Sequence, residues 1–104
     1  MNRPLVVRPQ ADLDLLGHCL YLASKQPTLA WKLRDAVQFS YQEIANRPRS
    51  GAAFELPNHS GLELRFCRPS GFKNYLVIYQ VADDRVIVLR MLHASQDIET
   101  ALRH

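Results

Sequence analysis

The sequence predicts an α+β domain in which a two-helix antiparallel hairpin packs on a twisted, mainly antiparallel sheet. Two observations support this class. Apolar residues recur every three to four positions in the first half of the chain. Short runs rich in Val, Ile and Tyr, bounded by turn residues, fill the second half. Strands that follow helices in this way are typical of α+β domains, and the predicted element order is β-α-α-β-β-β.

Length and composition indicate one globular unit. The chain has 104 residues, of which 47% are apolar and 22% are charged, so we predict a single domain over residues 1–104. No run approaches the roughly 18 consecutive apolar residues of a membrane-spanning helix. The N-terminus lacks the apolar stretch and cleavage site of a secretory signal. We therefore expect a cytoplasmic protein that has no membrane partner.

The first half predicts a strand followed by two helices. Residues 4–8 form the strand, and Pro9 ends it because proline cannot donate a ladder hydrogen bond. A helix runs from Ala11 to Lys25 with a wide apolar face, and a second runs from Pro27 to Ala45. Because the connector between them is very short, the helices form an antiparallel hairpin that covers one face of the sheet.

The second half predicts three strands, at residues 62–67, 75–81 and 85–93. The last two are joined as a tight hairpin. Turn residues at 48–51 and 58–61 border a segment that we expect to be irregular and exposed. The residues after Asp97 are too few for an independently stable helix and need to dock on the rest of the chain to be ordered.

The two cysteines carry no functional signal. Cys19 and Cys67 lack metal-ligand spacing, and we predict small buried apolar side chains rather than a disulfide. We find no metal or organic cofactor motif and expect no cofactor.

Positive charge is concentrated in residues 47–73. The formal net charge is +3, and this segment holds two acidic residues, Glu55 and Glu63, against five basic ones: Arg47, Arg49, Arg65, Arg68 and Lys73. Such a field attracts nucleic acid or an acidic protein segment. Solvated surface arginines are the alternative, and composition leaves both interpretations open.

The last predicted strand ends on an unusual polar constellation, because Arg90, His93 and Asp97 follow an otherwise apolar run. This string resembles the last strand of the ParE branch of the RelE/ParE toxin superfamily. Other pieces resemble that branch in the same order and spacing: Ala11-Asp12-Leu13-Asp14, Pro27-x-x-Ala30, Arg47-Pro48-Arg49-Ser50-Gly51, Leu64-Arg65 and Tyr75-Leu76-Val77-Ile78-Tyr79. The resemblance covers nearly the whole chain and implies the same fold.

The resemblance implies the toxin of a type II toxin–antitoxin system. ParE-like toxins bind DNA gyrase, trap it with cleaved DNA and perform no bond chemistry, so no catalytic residue is expected. The implied partners are gyrase and a cognate antitoxin, and both a homodimer and a hetero-oligomer with the antitoxin remain open. The expected partner-binding residues are the cations of the second half and an aromatic in the loop: Arg65, Arg68, Lys73, Arg90, Arg103 and Phe54.

The antitoxin is expected to lie on the helical hairpin and the adjoining sheet face. Antitoxins of this kind are disordered alone and wrap the toxin on binding. The width of the apolar face on the first helix suggests that some of its leucines are only partly buried in the free chain. Leu15, Leu16 and Leu22 are the candidates.

RelE-like members of the superfamily are instead ribosome-dependent mRNA endonucleases, which need cations and a general acid or base. Here Leu76 stands where that class has a basic residue, so the constellation is incomplete. A rearranged site would have to use Arg65, Arg68, Lys73 and His93. A detoxified module that only binds antitoxin is the third alternative, since fold does not fix function.

The three residues of the terminal motif have structural interpretations as well. Strand alternation places Arg90 with Val86, Val88 and Leu92, where its charge must either find a carboxylate partner, such as Asp97 or Glu63, or emerge at a rim. The same alternation places His93 on the opposite face with Ile87, Leu89 and Met91, as a hydrogen-bonded core residue. Asp97 is expected to cap the last segment. Tyr75 and Tyr79 are predicted to be core residues.

Overall fold

A computed structural model describes residues 3–103 of the chain. Within that range the elements are β1 (Leu5–Val7), α1 (Pro9–Lys25), α2 (Pro27–Asn46), β2 (Ala52–Phe54), β3 (Leu64–Cys67), β4 (Tyr75–Val81), β5 (Val86–His93) and α3 (Ile98–Leu102). The sheet order is β1-β5-β4-β3-β2, with β1 parallel to β5 and the other pairs antiparallel. The predicted α+β class and element order are confirmed, and a further strand, β2, and the terminal helix α3 complete the fold.

Proline begins both long helices. Pro9 and Pro27 each occupy the first helical turn, where the missing N–H would have had no intrahelical partner. Helix α1 therefore begins two residues earlier than predicted, because Pro9 starts the helix rather than closing the strand. Gln26, with extended backbone angles, separates the helices. No helix within residues 3–103 has the length and apolar character needed to cross a membrane.

The two faces of the sheet carry separate apolar cores. The helical hairpin covers one face, as predicted, and Tyr75 and Tyr79 lie in this core. Its other main members are Leu33, Val37, Ile44, Val77, Val86, Val88 and Met91. Helix α3 covers part of the opposite face, where the buried residues are Leu64, Leu76, Ile78, Ile87, Leu89 and Leu92.

Strand β2 corrects the predicted irregular structure after Gly51, whereas the predicted exposure of that segment is largely confirmed. It pairs with β3 through Ala52–Phe66 and Phe54–Leu64. Phe54 is half-buried, and its ring centroid lies 6.0 Å from that of Phe66. A strand of three residues is too short to show a period-two pattern, so only its pairing with β3 defines it.

Replacing Gly51 by alanine is expected to destabilise the chain by about 1–3 kcal/mol, the usual cost of overpacking. A Cβ at this position would lie 2.6 Å from the Phe66 carbonyl oxygen and closer still to the Tyr79 hydroxyl. Gly17→Ala is the matched control, because nothing lies within 4 Å of its Cβ and alanine favours a helix interior by up to about 1 kcal/mol. Urea unfolding measures both variants, and equal stabilities would contradict the prediction.

Candidate functional site

A β-bulge in β5 sets the direction of the motif side chains. In the pairing with β4, Arg90 lies opposite Ile78, and the preceding Leu89 has no partner. Val88 and Met91 consequently both face the hairpin core, although they are three residues apart. The predicted placement of Arg90 on the Val88 face is therefore wrong. The extra residue moves Arg90 to the opposite face, beside α3.

Arg90 forms a bidentate ion pair with Asp14 of α1. Its Nε lies 2.7 Å from Asp14 Oδ2 and its Nη2 lies 3.0 Å from Asp14 Oδ1. The two side chains are 14% and 10% exposed. The predicted partners Asp97 and Glu63 are wrong, although the need for a carboxylate partner is confirmed. Sequence spacing gives no signal for this pair, because only the packing of α1 on β5 brings Asp14 to the strand.

The same contact fastens three elements together. Arg90 Nη1 donates a hydrogen bond to the Ala101 carbonyl of α3 at 2.7 Å, and the Met91 N–H donates to Asp14 Oδ2 at 2.9 Å. His18 Nε2, one helical turn after Asp14, lies 2.9 Å from the Met91 carbonyl. Because β1 ends at Val7, these two side chains bond the β5 edge where no strand continues the sheet. The contact therefore connects α1, β5 and α3, and we call it the Asp14–Arg90 joint.

His93 shapes the turn between β5 and α3. Its N–H donates to Gln96 Oε1 at 2.8 Å, and its Nδ1 accepts the Ser95 N–H at 3.1 Å. Its ring meets the Tyr75 ring edge-on, with centroids 5.2 Å apart. His93 is half-buried and hydrogen-bonded, as predicted. Its face is corrected, because it shares the hairpin side with Met91 but not with Ile87 or Leu89.

Asp97 caps α3, as predicted. Its carboxylate accepts hydrogen bonds from the Thr100 hydroxyl at 2.7 Å and the Glu99 N–H at 3.2 Å. These bonds hold the pKa of Asp97 below its usual value, and the bond from Thr100 contributes most. Ile98, Ala101 and Leu102 pack on the sheet. All three motif residues therefore hold α3 in position rather than forming a reactive group.

Replacing Asp97 by alanine is expected to increase amide hydrogen exchange at Glu99 and Thr100 while leaving the two long helices unchanged. Asp97→Asn keeps a capping oxygen and should keep most of the protection. Because folding lowers the pKa of Asp97, its carboxylate stabilises α3 fully at pH values above the unfolded pKa of about 3.9. This stabilisation is lost as the pH falls through the folded-state pKa. NMR exchange across that range is the measurement, and protection of α3 that does not change with acid would contradict it.

Arg65, a predicted partner-binding residue, is engaged within the chain. Its Nε lies 3.0 Å from Glu63 Oε2, and its Nη1 donates to the Gly51 carbonyl at 2.7 Å. Arg49 Nη2 contacts the other Glu63 oxygen at 2.8 Å. Hydrogen bonds from Arg65 and then Arg49 lower the pKa of Glu63. Since the Arg65 side chain is only 18% exposed, it stabilises the junction of β2 and β3.

The other predicted partner-binding residues differ in accessibility. Arg68 and Lys73 are exposed on the β3–β4 turn, where Arg68 Nε donates to the Lys73 carbonyl at 2.9 Å. Arg103 is exposed and pairs with Glu99 at 3.3 Å. Arg90 is engaged with Asp14, and Phe54 is half-buried in β2 rather than exposed in a loop. Arg68, Lys73 and Arg103 therefore remain accessible to a partner.

Of the residues that a rearranged ribonuclease site would need, Arg65 lies apart from His93. Arg65 lies opposite Tyr79 on β4, whereas His93 lies opposite Tyr75. Four residues of strand separate these positions, which is roughly 13 Å. Within residues 3–103, His, Cys, Asp and Glu form no group of three that could hold a metal ion.

Both cysteines are free, as predicted, but they are half-buried rather than buried. Burial raises the pKa of the Cys67 thiol to about 11, and it also raises the pKa of Cys19. Neither thiol is activated.

An apolar groove runs between the outer sides of α1 and α2. It has a volume of about 450 Å³ and is lined mainly by Leu15, Leu16, Cys19, Leu20, Ala23, Ala30, Trp31 and Arg34. Leu16, Leu20 and Trp31 are 54%, 64% and 61% exposed. The expected partial burial of the α1 leucines is confirmed, since Leu15 and Leu22 are half-buried.

The sequence pattern did not identify Leu20 and Trp31 as surface residues. The available signal was the spacing of four between Leu16 and Leu20 on a stripe separate from Leu15 and Leu22. That spacing places both on one helix face without showing whether the sheet covers it.

A comparison with models of protein families identifies the family of the chain. A model described as "ParE toxin of type II toxin-antitoxin system, parDE" matches residues 5–98. The chain belongs to the ParE toxin family. A solved structure titled "Chromosomal ParDE TA system from P. aeruginosa" resembles this ParE family member with a TM-score of 0.68 and 18% identity, over 88% of this chain and 95% of that chain. This likeness shows a shared fold. No curated protein matches the sequence.

Proposed function

We propose that this ParE family member is a toxin that binds DNA gyrase, traps it with cleaved DNA and is neutralised by a cognate antitoxin. The observation that supports the proposal is the combination of an exposed apolar groove with a ribonuclease constellation that is incomplete, since Arg65 and Arg90 are engaged within the chain. A toxin that acts by binding needs a surface, whereas a nuclease needs converging groups. Within residues 3–103 the groove between α1 and α2 provides such a surface.

The groove between α1 and α2 is the proposed antitoxin seat. Large apolar side chains that are more than half exposed are unusual in such number on one surface and mark interaction sites. An amphipathic helix would place anchors at spacings of three and four against Leu16, Leu20 and Trp31. Arg34 lines the groove and provides a positive charge that an acidic residue of the partner segment would complement.

Hydrogen exchange tests this seat without any substitution. We expect antitoxin binding to slow amide exchange in both α1 and α2, while β4, which is already buried, changes little. Unchanged exchange in the two helices would remove the hairpin as the seat.

The gyrase contact is proposed to lie away from the antitoxin seat, on the C-terminal helix and the β3–β4 turn. Arg103 on α3 and the exposed pair Arg68 and Lys73 are the accessible cations among the residues predicted for this role. Arg90 contributes indirectly, because it fixes α3 through the Ala101 carbonyl. This arrangement explains why the motif residues can matter for activity without touching the target.

The test adds the purified chain to a gyrase supercoiling and cleavage assay, with a cell-free translation reaction in parallel. We expect cleaved DNA to accumulate while translation continues. Intact gyrase activity together with mRNA cleavage on the ribosome would replace the proposal by the endonuclease alternative. No effect in either reaction, from a chain that still binds antitoxin, would favour the detoxified module.

A further inference from the structure

Three stretches of the chain contain no acidic residue. Residues 15–34, 64–82 and 85–96 hold none of the ten Asp and Glu residues of the sequence. Each stretch contains lysine or arginine, and in the described part of the chain acidic partners from outside the stretches pair with Arg65, Arg85 and Arg90 but not with the other cations. Their positions in the fold therefore decide where the field of the protein is strongest.

The fold brings parts of all three stretches to one end of the molecule. The start of β4 pairs with the end of β5 through Tyr75 and His93. The His18 ring of α1 meets the Tyr75 ring edge-on at 5.0 Å, and α1 continues from there to its junction with α2. The β3–β4 turn and the β5–α3 turn consequently lie side by side, and α1 runs past them toward its junction with α2.

Five exposed cations cover this end, and we call them the basic pole: Lys25, Lys32, Arg34, Arg68 and Lys73. Within residues 3–103 none of them forms an ion pair. The nearest acidic residue in sequence to the β5–α3 turn, Asp97, is occupied as the cap of α3. The exposed carboxylate of Asp35 follows Arg34 and offsets part of the charge, so this end keeps a net positive charge.

Aromatic rings lie beside two of these cations. The Lys25 ammonium lies 5.5 Å from the Tyr21 ring centroid, and Tyr21 is 60% exposed. The Arg68 guanidinium lies 5.3 Å from the Phe66 ring, which is half-buried on the α3 side of the sheet, so Tyr21 is the ring that a base could reach. An acidic peptide would need only the charges, whereas nucleic acid uses cations for phosphates and exposed rings for bases. The combination favours nucleic acid.

We propose that the basic pole binds the phosphodiester backbone of a nucleic acid. The inference does not depend on which enzyme the toxin inhibits, and it adds a direct nucleic-acid contact to a protein proposed above to act through protein surfaces. Lys25 and Lys73 extend from different elements and can contact separate phosphates. Tyr21 lies beside Lys25, where an unpaired base could stack.

Fluorescence anisotropy tests the proposal with labelled DNA of roughly 16 nucleotides, single-stranded in one arm and duplex in the other. At about 50 mM salt we expect measurable binding to at least one form, weakening steeply toward about 200 mM. The better-bound form shows whether a base or only the backbone is contacted.

Charge reversal separates a site from a general charge effect. Lys25→Glu/Lys73→Glu should weaken binding at least about tenfold and reduce the salt slope by about two. Arg47→Glu/Arg85→Glu makes the same change in net charge with exposed cations outside the basic pole, and should stay within about twofold of the parent. Neither pair includes Arg68, whose guanidinium bonds the Lys73 carbonyl, and circular dichroism checks that both variants fold.

Three results would overturn the proposal. The parent chain fails to bind either DNA at low salt, or both charge-reversed variants lose equal affinity, or an oligoglutamate peptide binds as tightly as DNA with the same response to the variants. The last result would assign the pole to an acidic protein segment instead. None of these outcomes bears on the gyrase assay, so the two proposals fail separately.

Discussion

Replacing Asp14 by alanine is expected to lower the free energy of unfolding by about 3–5 kcal/mol, the usual cost of removing one partner of a buried ion pair. Arg90 would keep its charge with 14% of its side chain exposed and no carboxylate beside it. The Met91 N–H would also lose its acceptor. A loss of this size corresponds to a fall of roughly 12 °C or more in Tm. Urea and thermal unfolding provide the measurement.

Asp35→Ala is the matched control, because it removes the same charge from an exposed position on α2. Within residues 3–103 the Asp35 side chain forms no ion pair, so we expect a change of at most about 0.5 kcal/mol. Asp14→Asn keeps an acceptor for Met91 and should fall between the two, which keeps the test informative if the alanine variant does not fold. Equal effects of Asp14→Ala and Asp35→Ala would show that the joint contributes nothing.

Replacing Trp31 by alanine is expected to weaken antitoxin binding by about 30- to 1000-fold, equivalent to about 2–4 kcal/mol for a central aromatic anchor. The side chain lines the groove and is 61% exposed in the free chain. Its removal should therefore leave the stability of the free chain nearly unchanged. Titration calorimetry with the cognate antitoxin measures the affinity.

Phe39→Ala is the control for this prediction. Phe39 lies on the same helix and is 57% exposed, but it does not line the groove. We expect its removal to change antitoxin affinity by less than about threefold, as for most residues outside a hot spot. Equal losses from both variants would place the antitoxin elsewhere on the hairpin, and no loss from either would remove the groove as the seat.

Opposite sides of α1 are involved in the two predictions. One side bonds β5, and the other lines the groove together with Trp31 of α2. Asp14 and His18 face β5 and bond the Met91 backbone, whereas Leu16 and Leu20 face the groove. A substitution on one side is therefore separable from one on the other. This separation allows stability and antitoxin binding to be tested independently.

Patterns within the sequence were sufficient to predict the class of the fold and the positions of its main elements. Periodicity identified α1, α2, β4 and β5, because each is long enough to repeat its apolar pattern several times. Local chemistry also identified the cap at Asp97, since its partners Glu99 and Thr100 are neighbours in the chain. The family resemblance rested on the same kind of information, the order and spacing of short motifs.

The tertiary structure alone decided what depends on contacts between distant segments. One extra residue at Leu89 changed the face of Arg90, and period-two counting cannot detect such a bulge. The partner of Arg90 is Asp14, 76 positions away, and it is brought close only by the packing of α1 on β5. Strand β2 exists only because β3 pairs with it. Short-range patterns reflect the local backbone, whereas pairing and ion partners depend on where the chain folds back on itself.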